Sequence, residues 1–281
     1  MHSFIVCFLF ALIQQSGVGF VQLPIHTRQS ENEKTERSMP LDRDGQEFAL
    51  VNLLKACAKS KDLHRATALH AHILLLHSTL LEQSPYIASS LIHAYAKCGE
   101  LSKAQNVLEE LPVRGVVSWS ALISGHTQHG QFHQALNCFE RMQKEGLRGD
   151  AVTFTSILKA YGSIGDIEKG EKLHGEIASR GLLEKNIVLG NALVYMYAKC
   201  GMLAKAKQVL IELPARNIVT WSSLIAGYAQ QGQGHEALEC FTRMQREGIS
   251  PNEVTLVCIL KACGSIRAFD KGTQIHDEIA A

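Results

Sequence analysis

The stretch VVSWSALISGHTQHGQFHQALNCFERMQKEGL, from Val116 to Leu147, contains the pattern from which the fold can be inferred. Apolar and half-apolar side chains recur at helical spacing in each half of it, namely Trp119, Leu122, Ile123 and His126, and then Ala135, Leu136, Phe139 and Met142. Gly130 interrupts the pattern between the halves, and Gly146 favours a left-handed cap at the end. The stretch predicts two amphipathic helices joined by a tight turn. Since neither helix can bury its apolar stripe alone, copies of the pair must stack on one another.

Such copies exist, because the chain repeats itself after 102 residues. The string YAKCG at Tyr95 to Gly99 returns at Tyr197 to Gly201, and SWSALISG at Ser118 to Gly125 returns as TWSSLIAG at Thr220 to Gly227. A finer division gives repeats of unequal length, at 47–84, 85–115, 116–150, 151–186, 187–217, 218–252 and, incomplete, 253–281. Pro112 and Pro214 end the second helix early in the two short repeats. The pattern predicts an all-α fold, a right-handed α-solenoid of helix-turn-helix repeats, over residues 47–281.

Residues 1–46 have a different character and are expected to form a leader followed by a flexible linker. Ten consecutive apolar residues, Phe4 to Ile13, are too few to span a bilayer, so no membrane association is expected. The first thirty residues contain no acid and one basic residue, Arg28. This partly matches a transit peptide and favours the mitochondrion or the chloroplast, although such peptides are usually richer in arginine.

Composition argues against several classes of function. The chain has 28 basic and 27 acidic residues, so its net charge of +1 neither requires nor excludes a polyanionic partner. Eight cysteines without a C-x-x-C pair fit neither a disulfide scaffold nor a zinc ribbon. His174 and His276 each begin the H-x-E half of a zinc deaminase signature, but its P-C-x-x-C half is absent. We therefore expect no catalytic residue, metal, cofactor or small-molecule substrate.

The alternation of long, short and ordinary repeats resembles the pentatricopeptide repeat family, and in particular its plant-type PLS subclass, here without a recognisable C-terminal deaminase domain. The resemblance implies an organellar protein of RNA processing or RNA editing that binds single-stranded RNA, with one base read by two or three side chains of each repeat. It also implies other RNA-processing or editing factors as partners. Two alternatives remain open: a scaffold that binds proteins, and a truncated editing factor whose catalytic domain is missing.

In the family, the fifth and the last residue of a repeat read the base edge, and the second residue packs on the base face. Carried onto this sequence, the reading pairs are Ser120 with Asp150, Asn191 with Asn217 and Ser222 with Asn252, together with the less legible Thr155 with Asn186 and Ser89 with Gly115. The base-packing residues are Val117, Val152, Val188, Val219 and Val254. By family analogy the legible site is 5′-G-N-Y-A-3′. The competing interpretation is that Ser, Thr, Asn and Asp at these positions only cap helices, and that the valines only pack in the core.

Overall fold

The computed structural model describes residues 43–76, 81, 84–184 and 186–280. The expected leader and most of the expected linker, residues 1–42, lie outside them. The described residues contain α-helices and no β-strand, as the helical periodicity predicts. They divide into two compact units, one ending at Val113 and the other beginning at Arg114. None of the described helices is both long and apolar enough to cross a lipid bilayer.

The first unit contains two helix pairs. Their bounds are α1 Arg43–Ser60, α2 Leu63–Leu76, α3 Pro85–Lys97 and α4 Leu101–Glu110. Helix α1 packs on α3, and α2 packs on both of them. Leu54 and Leu91 on the first helices, and Ile73 and Leu108 on the second helices, are fully buried, so both helices of each pair contribute to the core of this unit.

The second unit contains five helix pairs. The first helices are α5 Val116–Gln128, α7 Ala151–Ile164, α9 Ile187–Lys199, α11 Ile218–Gln230 and α13 Glu253–Ser265. The second helices are α6 Phe132–Lys144, α8 Ile167–Ser179, α10 Leu203–Glu212, α12 Gly234–Arg246 and α14 Phe269–Ala280. Each first helix packs on the first helix of the next pair and on its own second helix. The first helices therefore form one continuous layer and the second helices form another layer packed on it, as expected for a solenoid.

Two tryptophans at the same register anchor this unit. Trp119 and Trp221 are buried, and the indole Nε1 of each donates a hydrogen bond to a glutamate after the second helix of its pair, Glu145 at 3.0 Å and Glu247 at 3.1 Å. An arginine lies over each ring, with Arg141 at 5.3 Å from the centroid of Trp119. The two helices of these pairs are thus joined at both ends, by the turn and by the indole.

The residues that end the helices match those expected from the sequence. Gly130 and Gly146 have positive φ angles of 72° and 77°, in the left-handed region that glycine adopts without a Cβ clash. Helix α10 ends at Glu212, and Leu213 is extended with ψ 133°, because a residue before proline avoids the helical region. The second helices of both short repeats accordingly have 10 residues, against 13 in α6 and α12.

Six first helices begin at the residue from which the sequence counts a repeat: Pro85, Val116, Ala151, Ile187, Ile218 and Glu253. The exception is α1, which begins at Arg43 rather than at Glu47. The last four residues of the expected flexible linker are therefore helical. The physical reason is that a downstream apolar stripe nucleates the helix, and a polar turn can then extend it at one hydrogen bond per residue.

Candidate nucleic-acid interface

A row of valines in the first helical turns is exposed to solvent. The side chains of Val117, Val152, Val188, Val219 and Val254 are between 50% and 59% exposed, whereas most other apolar residues of the same helices are buried. Each valine is the second residue of its helix, one turn before the fifth. Since these valines are not part of the packed core, core packing does not explain why an apolar residue recurs there.

The fifth residues lie next to the following repeat. Ser120, Asn191 and Ser222 are each at most 8% exposed, and the hydroxyl or amide of each contacts a side chain at the start of the next first helix. Position five is therefore a junction between successive repeats. A polar side chain is needed there because the group that it meets is also polar and buried.

At the first junction, Ser120 and Asp150 are in contact. The Ser120 Oγ lies 3.2 Å from Asp150 Oδ1 and 2.6 Å from the hydroxyl of Thr153. Asp150 is the N-cap of α7, and its Oδ1 accepts hydrogen bonds from the Thr153 backbone N at 2.8 Å and from the Thr153 Oγ1 at 2.8 Å. The predicted pair thus belongs to a three-residue cluster.

The second junction repeats this arrangement with two asparagines. Thr220 donates through its hydroxyl to Asn191 Oδ1 at 2.5 Å and accepts from the backbone N of Asn217 at 3.2 Å. Asn217 caps α11, and its Oδ1 accepts from the backbone N of Val219 at 3.0 Å and of Thr220 at 3.1 Å. Thr220 therefore connects the two residues of the predicted pair.

The third junction has the same connection. Ser222 Oγ lies 2.7 Å from the hydroxyl of Thr255. Asn252 caps α13, and its Oδ1 accepts from the Thr255 backbone N at 2.9 Å and from the Thr255 Oγ1 at 2.8 Å. Ser222 and Asn252 are thus linked through Thr255 rather than bonded to each other.

The other two predicted pairs differ. Thr155 donates to the backbone carbonyl of Ala151 at 2.7 Å, and Asn186 caps α9 by accepting from the backbone N of Leu189 at 3.1 Å. No hydrogen bond joins Thr155 to Asn186 in the described part of the chain, because the connecting position holds Leu189, which has no hydroxyl. Ser89 donates to the backbone carbonyl of Tyr86, and Gly115 has no side chain.

In the second unit, every repeat-ending residue that was predicted to read a base also caps a helix. Asp150, Asn186, Asn217 and Asn252 are all N-caps whose side chains accept backbone N–H groups. Each cap uses Oδ1. The other terminal atom, Oδ2 of Asp150 or Nδ2 of the asparagines, makes no hydrogen bond within the described residues, so capping leaves one polar atom of each side chain available.

Sequence reasoning missed two sets of residues. The first is Thr153, Thr220 and Thr255, whose recurrence at the third position of three repeats is the signal that could have identified them. The second is Phe48 and Tyr86, the second residues of the first two repeats, which are 70% and 64% exposed. Counting from Glu47 and Pro85 in the same register as the valines would have found both.

The H-x-E histidine of the fourth repeat has a structural partner. His174 Nδ1 lies 2.9 Å from the hydroxyl of Tyr197, and the rings meet edge to face with centroids 5.6 Å apart. Burial lowers the pKa of His174 and raises that of Tyr197 to about 12. His70 and Tyr95 repeat the contact within the first unit, also at 2.9 Å. Both pairs therefore join a second helix to the first helix of the next repeat.

Models of known families match much of the described chain. The model of the PPR repeat family matches residues 114–163 and 216–265, and that of the PPR repeat matches residues 86–116, 152–182 and 191–218. A chloroplastic pentatricopeptide repeat-containing protein of Arabidopsis thaliana is 38% identical over 230 residues, covering 82% of this chain and 37% of the relative. A mitochondrial one from the same plant is 35% identical over 232 residues, covering 83% and 33%.

The chain thus spans about a third of the length of these curated relatives. Among solved structures, the pentatricopeptide repeat protein PPR10 in complex with an 18-nt psaJ RNA element superposes with a TM-score of 0.64. The sequence identity is 20%, and the match covers 85% of this chain and 35% of that one. This likeness establishes a shared helical-repeat fold.

Proposed function

Because the chain belongs to the pentatricopeptide repeat family, we propose that it binds single-stranded RNA by sequence, with one base held by each repeat. One observation carries this proposal. An exposed apolar residue and, one turn later, a polar cluster recur together at the start of the first helices that begin at Val116, Ile187 and Ile218. An apolar surface beside polar edge-reading groups is what a nucleobase requires, since a base has an apolar face and a polar edge.

The base preferences follow the family analogy repeat by repeat. Ser120 with Asp150 selects guanine, Asn191 with Asn217 selects a pyrimidine, and Ser222 with Asn252 selects adenine. Thr155 and Asn186 remain unassigned, and their separation within the described chain supports leaving that base open. The proposed site is 5′-G-N-Y-A-3′, with the RNA running parallel to the chain.

Charge on the first helices favours this partner more than the net charge of +1 does. Helices α5, α7, α9 and α11 contain no Asp or Glu, and α7 and α9 carry Lys159 and Lys199. These four helices are thus neutral or basic, so phosphates near them meet no acidic side chain of the helix. Helix α13, which presents Val254, differs because it carries Glu253 in its first turn. With few lysines to neutralise phosphates, the affinity should depend only weakly on salt.

The first unit holds bases in a different way. Phe48 and Tyr86 present aromatic rings where other repeats present valine, and an aromatic ring stacks on any base. Neither repeat has a pair that reads an edge, since Ser84 is buried and hydrogen-bonded to Glu47 and Gly115 has no side chain. These repeats therefore add affinity without selecting a base.

In the cell, the protein acts as a non-catalytic RNA-binding component of organellar RNA processing or editing, in the mitochondrion or the chloroplast. The names of the relatives support the compartment, since one is chloroplastic and one is mitochondrial. The alternation of long, short and ordinary repeats supports membership of the PLS subclass. Bound to its site, the protein recruits or blocks other RNA-processing factors.

A filter-binding experiment tests the proposal. The chain is titrated against an RNA that contains GNYA and against RNAs of the same composition in scrambled order, at two salt concentrations. We expect preferential retention of the GNYA strand with a weak salt dependence. Equal retention of all strands would end the sequence-reading hypothesis. Retention of none of the strands would end the RNA-binding hypothesis.

A further inference from the structure

Three threonines share an environment that the reading pairs alone do not explain. Thr153, Thr220 and Thr255 are each the third residue of a repeat and each have 0% of their surface exposed. The hydroxyl of each lies within 2.7 Å of the side chain at position five of the preceding repeat. It also lies within 3.1 Å of Oδ1 of that repeat's last residue.

We propose that these threonines are positioning residues, which determine the atom that a reading residue of the preceding repeat, its last or its fifth, presents to a base. This inference rests on the proposed function and deepens it. The threonine itself is fully buried, so it acts through its neighbours rather than by touching RNA.

The capacity of Oδ1 limits which atom the last residue can present. An amide or carboxylate oxygen accepts two hydrogen bonds in the plane of its group. At Asn252, Oδ1 accepts from both the backbone N and the hydroxyl of Thr255. At Asp150 it accepts from the same two groups of Thr153, while the Ser120 Oγ, 3.2 Å away, is closer to the Val116 carbonyl oxygen, at 2.7 Å. Oδ1 is therefore fully used, and only the other terminal atom remains for a base.

The identity of that remaining atom differs between the two residues. Asn252 is left with Nδ2, which only donates, whereas Asp150 is left with Oδ2, which only accepts. The edge of adenine offers an acceptor at N1, and guanine offers donors at N1 and N2. A donor at Asn252 and an acceptor at Asp150 thus match the bases that the family analogy assigns to these repeats.

The hydroxyl is needed because an asparagine amide can rotate by half a turn. With Thr255 in place, rotation would set the Nδ2 donor against the backbone N–H and break that hydrogen bond, and the hydroxyls of Thr255 and Ser222 would both have to turn their protons before Thr255 Oγ1 could accept from Nδ2. Without the hydroxyl only the backbone hydrogen bond opposes the rotation, so Asn252 presents donor and acceptor more equally. The contacts at Thr220 act on position five instead, since its proton goes to Asn191 Oδ1 and leaves Asn191 Nδ2 as the available donor.

The test compares two RNAs that differ only in the final base, GNYA and GNYG, with dissociation constants measured for four proteins. These are the wild type, Thr255→Val, Thr255→Ser and a control, Thr242→Val, whose hydroxyl donates only to the backbone of Leu238 in the second-helix layer. We expect Thr255→Val to reduce the preference for adenine about fivefold, the factor that one ordinary hydrogen bond supplies. Thr255→Ser and Thr242→Val should keep it.

A merely structural role for Thr255 would weaken binding of both RNAs equally, and an unchanged adenine preference in Thr255→Val would refute the inference while leaving the proposed function intact. Equal binding of both RNAs by the wild type would refute adenine reading itself and the inference with it. Circular dichroism establishes that each variant is folded. If Thr255→Val is unfolded, Thr255→Ala removes the same hydroxyl, and the same outcomes apply.

Discussion

Replacing Asn252 with aspartate should change the base that the sixth repeat prefers from adenine to guanine. The substitution exchanges one terminal atom, Nδ2, for a carboxylate oxygen and changes almost nothing in side-chain volume. The cap survives, because Oδ1 can still accept from Thr255 N and Thr255 Oγ1, now at 2.9 and 2.8 Å. An acid at a helix N-terminus also interacts favourably with the helix dipole, so α13 should gain about 0.5 kcal/mol rather than lose stability.

The magnitude follows from the reversed polarity of one hydrogen bond. Opposite adenine N1, the variant sets acceptor against acceptor, which costs about 1 to 3 kcal/mol, or about 5-fold to 150-fold in affinity. Opposite guanine, the new carboxylate oxygen can accept a hydrogen bond from the N1 or N2 donor of the base. Since Asn252 is exposed, water competes for the contact and the lower end of the range is expected.

The assay is a fluorescence anisotropy titration with labelled GNYA and GNYG strands. Asn252→Asp should bind GNYG more tightly than GNYA, and the reciprocal variant Asp150→Asn should change the first base from guanine to adenine without affecting the last. Independent changes at the two ends would also establish the parallel direction of the RNA. If the preference at the last base is the same in the wild type and in Asn252→Asp, the assignment of position 252 as a reader is wrong.

Three further predictions concern stacking, the indole anchor and pH. Tyr86→Ala should weaken binding to every RNA by about 1 to 3 kcal/mol without changing base preference, as measured by the same titrations; a loss confined to one sequence would contradict unselective stacking. Glu145→Ala leaves the buried Trp119 Nε1 without its acceptor and should lower the free energy of unfolding by about 1 to 3 kcal/mol in urea denaturation, so an unchanged midpoint would argue against this anchor. Burial lowers the pKa of His174, so the unfolded chain binds a proton more readily than the folded one as the pH falls below about 6.5. The thermal midpoint should therefore drop between about pH 7.5 and about pH 5.5. His174→Gln should show a smaller drop in the midpoint, and an equal drop would exclude His174 as a cause.

Much of the fold could be predicted from the sequence, because it is encoded in local patterns. The helical spacing of apolar residues and the recurrence of the sequence after 102 residues indicate where each helix pair begins. Gly146 and Pro214 indicate where second helices end. These signals act within a few residues of one another. The start of α1 could not be read in this way, since polar composition does not prevent a helix from extending by one turn.

The candidate site was only partly predictable, because its contacts join different repeats. Register placed Ser120 beside Asp150 in advance, but it could not show that Thr153 connects them, or that Leu189 leaves Thr155 and Asn186 separate. Capping and base reading also appeared to be rival interpretations in the sequence. The geometry makes them compatible, since the cap occupies Oδ1 and leaves the second terminal atom available.

Selection from a random RNA pool tests base-specific binding without assuming a site or a direction. The chain is incubated with single-stranded RNA of random sequence, bound strands are recovered through several rounds, and the enriched pool is sequenced. We expect enrichment of G-N-Y-A, read 5′ to 3′, with the second base free. Enrichment of the reversed order A-Y-N-G, or of no motif at all, would contradict it.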